Sequence, residues 1–218
     1  MQLVIMKHSI KVHKTATYHS SGDIKTAKTI WFVLHGYGML SKYFIKKFEP
    51  IVNDTNCVIA PEGLSKFYTE GFYGRVGATW MTKEDREEEI EDYINYLNQL
   101  YNVIIKENSN SELKINIIGF SQGGATASRW VANGKVVPTN FILWSSVFPN
   151  EMEFETFGQN FNTYILYGNN DEFSTDEHIK QQEDLLKNSK LNYKIIEFEG
   201  THDVPEKVLL EQAEMNGW

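Results

Sequence analysis

Cysteine is almost absent from this sequence, and that absence already limits what the protein can be. Cys57 is the only one in 218 residues, so no disulfide can form within the chain and no thiolate cluster can hold zinc. It lies in the apolar run "NCVIA" and reads as a small core residue. Cations are outnumbered: 21 Lys and Arg face 29 Asp and Glu, a net charge of -8 that repels phosphate backbones and anionic membrane surfaces. Nucleic acid is therefore not expected as a partner. Long hydrophobic runs are missing too. Leu3 to Met6 is too short for a signal-peptide core and nothing later approaches a membrane span, so a cytoplasmic protein without membrane insertion is expected. The five prolines are scattered and no repeat or low-complexity tract divides the chain, so residues 1–218 are expected to form one domain.

What is present is core material. Hydrophobic residues at 41% and aromatics at 13% are enough to bury a substantial interior, which excludes disorder. The densest acidic run, "KEDREEEIED" (Lys83 to Asp92), could suggest metal ligands. It also opens a helical pattern, where carboxylates complement the positive end of the helix dipole, and it is read as a solvated face; no metal and no cofactor is expected.

Two N-terminal segments, about Gln2 to Met6 and Lys11 to Tyr18, read as extended and antiparallel. Short apolar runs then recur at 29–36, 56–63, 113–120, 140–146, 162–168 and 193–200, most ending near Gly or Ser. Continuous runs of this length suit parallel strands covered on both faces. Helical signals lie between them. One segment at 41–50 opens on Ser41 as a possible cap and stops at a proline. A long one from about Lys83 to Glu107 has Ile90, Tyr93, Ile94, Leu97, Leu100, Tyr101 and Ile104 on one stripe, with a Thr82/Asp85 capping pattern. Gln122 to Ala132 follows, with Asn133-Gly134 as its stop. Thr175 to Lys187 carries a Ser174/Glu177 cap, and Pro205 to Met215 has proline in its opening turn. Strands alternating with helices predict an α/β fold: a mostly parallel sheet with helices on both faces and function at the carboxyl ends of the strands.

The stretch "IIGFSQGGATA" (117–127) places Ser121 in a G-x-S-x-G pattern. Alone that pattern is weak. Here "KINII" supplies a strand directly before it and "GGATASRWVA" a small-residue helix directly after it, the context in which a strained turn presents a serine hydroxyl above a sheet. A turn serine with a capping role is the bland alternative. A serine needs a base, and the partners of such a turn follow in the order Ser, acid, His. Asp171 stands just past the run ending at Gly168, with Glu172 beside it as the alternative acid; Asp176 belongs to a helix opening. His202 stands just past the last strand. His178 falls inside a helix, and His8, His13 and His19 fall in the N-terminal arm. Asp203 reads as a helix cap. An acyl-transfer site also needs two donors for the developing oxyanion: the N–H of Gln122, and a second from "HGYG" (His35 to Gly38), most naturally that of Tyr37. His35 is read as structural within that loop.

At "FVLHGYG", "GFSQGG", "YGNNDEF" and "GTHDVP" the sequence resembles the α/β-hydrolases, and within them the small carboxylesterase/phospholipase group that includes acyl-protein thioesterases. The resemblance covers nearly the whole chain. It implies an α/β-hydrolase fold with a mostly parallel central sheet of about eight strands, Ser121 as nucleophile, Asp171 as acid, His202 as base, and Tyr37 and Gln122 N–H groups as the oxyanion hole. Two places depart from that group: "GATWMTKED" keeps Trp80 but has Met81 and Thr82 after it, and Asp171 is followed by Glu172-Phe173-Ser174-Thr175. Both touch substrate-facing loops.

For the substrate, the aromatic connection "GLSKFYTEGFYGRVGATWM" (63–81) has two readings. Phe72, Tyr73, Trp80 and Met81, with Phe67 and Tyr68, could line an acyl groove, or the loop could pin itself down through a local cluster. The stretch 147–161 is too short for a separate lid domain, which points to an open site and to small or medium acyl groups. The expected activity is hydrolysis of a small-molecule carboxylic ester or thioester by a monomer or homodimer. An acyl thioesterase or lysophospholipase is the nearest rival; a peptidase and a non-catalytic ligand-binding relative are more distant ones.

Overall fold

In the computed structural model, which describes residues 4–133, 135–154, 157, 160–187 and 189–218, the six apolar runs all become strands. In chain order the elements are β1 (Tyr18–Ser21), β2 (Thr29–Leu34), α1 (Ser41–Phe44) continued by a 3-10 helix (Ile45–Ile51), β3 (Asn56–Pro61), β4 (Ser65–Tyr68), β5 (Val76–Thr79), α2 (Arg86–Glu107) and β6 (Lys114–Phe120). There follow α3 (Gln122–Ala132), β7 (Asn140–Trp144), β8 (Asn162–Gly168), α4 (Asp176–Lys187), β9 (Asn192–Phe198) and α5 (Glu206–Asn216). The central sheet has seven strands in the order β1-β3-β2-β6-β7-β8-β9, close to the eight expected. Every neighbouring pair is parallel except β1 with β3.

β2 and β7 are buried at every residue, as strands covered on both sides must be. Their alternate side chains feed two cores. On one face Phe32, Ile117 and Phe141 pack with Tyr93, Leu97 and Ile104 of α2 and Trp130 of α3. On the other, Trp31, Ile118 and Trp144 pack with Phe44 of α1, Phe48 of the 3-10 helix and Leu209 of α5. Each such side chain contributes about 1.5–3 kcal/mol relative to exposure, so the cores clamp the sheet from both sides.

A row of asparagines crosses four strands near their amino ends. Asn116, Asn140, Asn162 and Asn192 are direct register partners on β6, β7, β8 and β9. Their amides chain together: Asn192 Nδ2 donates to Asn162 Oδ1 (2.8 Å), Asn162 Nδ2 to Asn140 Oδ1 (3.2 Å), and Asn140 Nδ2 to Asn116 Oδ1 (2.9 Å). A slip of one residue between any two of these strands would break the chain and turn every side chain to the wrong core. The ladder therefore fixes the register on which the opposite, carboxyl ends of the strands depend.

Several expectations need correcting. The N-terminal antiparallel pair does not form: residues 4–17 have no regular secondary structure, Gln2 and Leu3 lie outside the described residues, and the only strand there, β1, pairs with β3 instead. Val4, Ile5, Met6, Ile10 and Val12 are exposed, so the arm buries too little to order as a hairpin. Lys7 and Lys11 instead pair with Asp85 and Glu91 at the start of α2. With Asp85 so engaged, the Thr82/Asp85 cap is absent: Asp85 sits in the left-handed region (φ 50°) with no side-chain cap bond, and α2 starts at Arg86. Ser174 does not cap α4; the Thr175 hydroxyl accepts from His178 N–H (3.3 Å) instead. Ser41 turns its hydroxyl to Glu62 rather than capping α1. Asp203 caps no helix, because its carboxylate pairs with Lys47 (2.5 Å). Gly134, the expected stop of α3, lies outside the described residues.

The ladder generates a prediction. Asn140→Ala leaves Asn116 Oδ1 and Asn162 Nδ2 without their partners, and urea unfolding should show a loss of roughly 1–3 kcal/mol. A change below about 0.5 kcal/mol, the level of a surface substitution, would mean that the row contributes nothing to register.

Candidate active site

β6 ends at Phe120 and α3 begins at Gln122, so Ser121 alone turns the chain, at φ 52° and ψ -123°. A non-glycine residue held there costs of order 1–3 kcal/mol and persists only when its surroundings impose it. They do so through three bonds: Ser121 N–H donates to Trp144 O (3.1 Å), and Ser121 O accepts from Gly124 N–H (2.9 Å) and from Ser146 Oγ (2.7 Å). The two glycines of the motif are required sterically. A Cβ on Gly119 would lie 2.4 Å from Gly124 Cα, and one on Gly123 would lie 2.2 Å from Leu34 O, at the end of β2.

Asp171 and His202, from the loops after β8 and β9, meet beside this turn. His202 Nδ1 lies 3.0 and 2.9 Å from the two Asp171 oxygens, which fixes the ring proton on Nδ1 and turns Nε2 away from the carboxylate. Asp171, which meets the ring, is buried, whereas Glu172 is exposed. Asp171 also accepts from Phe173 N–H (2.9 Å) and the Ser174 hydroxyl (3.0 Å). Burial alone would raise its pKa, but His202 and the Phe173 N–H outweigh that and hold it below the usual carboxylate range. The His202 ring sits between Phe120 (centroids 4.9 Å), the residue before Ser121, and Phe173 (4.7 Å). Among the described residues no hydrogen bond joins Ser121 Oγ to the ring; such contacts often close only around substrate.

The remaining histidines stand elsewhere. His8, His13 and His178 are exposed, and His19 bonds to Ser41 (2.8 Å). Nothing is described of the Asp176 side chain. His35 is fully buried and spends both ring nitrogens on the backbone, Nδ1–H to Gly36 O (2.7 Å) and Nε2 from Gly63 N–H (3.0 Å). Burial lowers its pKa, so it stays neutral and structural.

The loop after β2 lies directly on the turn: a Cβ on Gly36 would be 3.2 Å from Ser121 Cβ. This places the segment that carries Tyr37 against the turn that precedes Gln122. Gln122 is the first helical residue, so its N–H has no intrahelical acceptor and is available to a ligand.

The connection 63–81 forms a hairpin, β4 with β5, and β5 continues onto the loop through Gly38 N–H to Ala78 O (2.9 Å) and Ala78 N–H to Met39 O (3.0 Å). Trp80, expected in a groove, is instead 2% exposed; its Nε1 donates to His35 O (2.8 Å) and its ring packs on the His35 ring. Phe72 and Tyr73, at the hairpin tip, are 86% and 98% exposed. Met81 is half-buried, its sulfur 3.7 Å from Arg129 Nη1. Tyr37 leans its exposed ring on Phe67 (5.1 Å).

One role escaped the sequence. The Gln122 side chain accepts from Trp80 N–H (3.2 Å) and donates to Thr79 Oγ1 (3.0 Å) and Met81 O (2.9 Å), tying the turn to the end of the hairpin. The "GFSQGG" motif names the residue, but nothing local says where a glutamine amide will point.

Solved structures with the same fold support this architecture. Acyl-protein thioesterase 2 of Zea mays is 18% identical, with 93% of this chain and 98% of that one covered and a TM-score of 0.70. The carboxylesterase of Bacillus cereus is 17% identical, with 93% of each chain covered and a TM-score of 0.67. A carboxylesterase of Mesorhizobium loti is 17% identical, covering 92% of this chain and 94% of that one at a TM-score of 0.70. No curated protein sequence matches the chain. At these identities the likeness establishes the α/β-hydrolase architecture and leaves substrate open. The family is settled by the sequence model for "Serine hydrolase (FSH1)", which matches residues 26–213: with its serine at a strained strand-to-helix turn, this chain belongs to that serine hydrolase family.

Proposed function

We propose that the protein hydrolyses carboxylic esters through an acyl-enzyme formed on Ser121, with His202 as general base and Asp171 as the acid that orients it. The observation that carries this reading is the His202–Asp171 contact at 2.9 Å beside a serine held at φ 52°. Ser121 Oγ attacks the substrate carbonyl while His202 Nε2 takes its proton, and the ionised Asp171 stabilises the imidazolium. The N–H groups of Tyr37 and Gln122 receive the oxyanion. The alcohol leaves with the proton from His202, which then activates a water to release the acid.

The mouth of the site supports small or medium acyl groups. The stretch after β7 turns Phe148 and Phe161 inward onto Phe141 rather than over the serine. The Phe173 ring, against His202 at 4.7 Å, is exposed, and so is the Tyr37 ring on the loop after β2, which suits an apolar rim open to solvent. The same rim and the same chemistry would serve a thioester, and parallel rates on matched oxygen esters, thioesters and lysophospholipids of graded chain length separate these substrates. Among the described residues no helix is long and apolar enough to cross a membrane.

Ser121→Ala should reduce hydrolysis of p-nitrophenyl acetate to background and abolish labelling by a fluorophosphonate, with the label on wild type mapping to Ser121 by mass spectrometry; a variant that stays active would sink the assignment. Asp171→Asn should lower kcat by on the order of 10³- to 10⁴-fold with KM little changed, because the ring loses the partner that fixes its tautomer. Steady-state kinetics on the folded variant would refute the role of Asp171 if kcat fell less than about tenfold, which a tautomer-fixing acid cannot explain.

A further inference from the structure

Glu62 takes no part in the steps above, yet its residue is only 3% exposed. It directly follows β3, and both carboxylate oxygens are engaged. Oε2 accepts from Ser41 N–H (3.1 Å) and from the Ser41 hydroxyl (3.0 Å); Oε1 faces the Lys66 ammonium (2.6 Å). The Ser41 hydroxyl in turn accepts from His19 Nδ1 (2.8 Å). Burial would raise the pKa of Glu62, but the bonds from Lys66 and Ser41 hold it below the usual carboxylate range. It is therefore an enclosed, ionised group, which a fold keeps only when it is fully paired.

The position of these bonds matters for the chemistry. Ser41 closes the segment that begins at His35 and carries Tyr37. At the other end, Gly63, the residue after Glu62, donates its N–H to His35 Nε2 (3.0 Å). Two consecutive residues thus grip both ends of the loop, while β5 pairs with its middle at Gly38 and Met39. We propose that Glu62 is a positioning residue for the oxyanion loop, its buried carboxylate fixing Ser41 and so the direction of the Tyr37 N–H. The inference rests on Tyr37 N–H being an oxyanion donor, as in the function proposed above. Donors that stabilise a developing negative charge are effective because they are fixed beforehand, and a paired buried charge at the end of a short loop supplies that rigidity. Glu62 touches no reacting atom and acts only through the loop.

The test compares wild type with Glu62→Gln, which keeps the size and an acceptor but loses the charge, and with Ser41→Ala, which removes one of the two bonds and leaves the carboxylate. Active sites are counted by fluorophosphonate titration. Then kcat and KM for p-nitrophenyl acetate, affinity for an alkyl boronic acid that mimics the tetrahedral intermediate, and melting temperature are measured. In Glu62→Gln, kcat per titrated site should fall on the order of tenfold and boronate affinity by the same factor, with KM within about twofold; Ser41→Ala should show the same pattern at smaller amplitude. A lower melting temperature with unchanged kcat per site and unchanged boronate affinity would overturn the proposal, in Glu62→Gln or, should that variant not fold, in Ser41→Ala. Wild-type protein inert to both ester and fluorophosphonate would instead overturn the hydrolase reading, and the positioning role with it.

Discussion

The strained turn at Ser121 is the constraint on which the site depends. A serine at φ 52° has no local reason to stay there, and what holds it is the sheet: Trp144 O on β7 accepts its N–H, and Ser146 just past β7 donates to its carbonyl. The neighbouring glycines let α3 and the end of β2 approach within distances that no Cβ would permit. The strain is therefore imposed by three strands at once, and the parallel register of those strands is what must not slip. The asparagine row at their amino ends and the two hydrophobic cores on their faces meet that requirement at a distance from the chemistry.

Around this turn the structure fastens separate loops to one another rather than to the serine itself. Gln122 ties the turn to Thr79 and Met81; β5 pairs with the loop of Tyr37; Trp80 and Gly63 hold His35 from two sides. The loop after β2, the end of the hairpin and the turn at Ser121 are thus joined to one another although they lie far apart in sequence. On the opposite side, the Asp171 loop gathers three donors onto one carboxylate, which keeps the acid ionised while buried and leaves it oriented toward a single ring nitrogen of His202. Preorganisation of this kind is what electrostatic stabilisation of a transition state requires.

Much of this was legible in the residues. The apolar runs marked the six parallel strands, and α3 spans Gln122–Ala132 as the small-residue pattern after Ser121 predicted. Asp171 and His202 could be chosen from their places at strand ends. The failures come from competing partners. Thr82, Ser174 and Asp203 carry the local signature of helix caps, but Lys7 and Lys47 arrive from remote parts of the chain to engage Asp85 and Asp203, and the Ser174 hydroxyl turns to the nearby Asp171 carboxylate. The N-terminal arm reads as two extended segments about a polar turn, but the apolar side chains described there stay exposed. Trp80, in an aromatic loop, fitted either an acyl groove or a local cluster pinning the loop; the structure buries it with its Nε1 on His35 O.

By itself, then, the sequence determined the alternation of strands and helices, the position of the sharp turn, and the order of Ser121, Asp171 and His202, because each of these is written in near neighbours: periodicity, the absence of side chains at glycine, and the boundary of an apolar run. Only the tertiary structure decided which carboxylate reaches the imidazole, that the 63–81 segment is a hairpin bracing the loop of Tyr37, and that Glu62 and Gln122 spend their side chains holding that frame. Those outcomes depend on which strands lie side by side, and a hydrogen bond between residues 20 to 45 positions apart leaves no periodic trace in the chain.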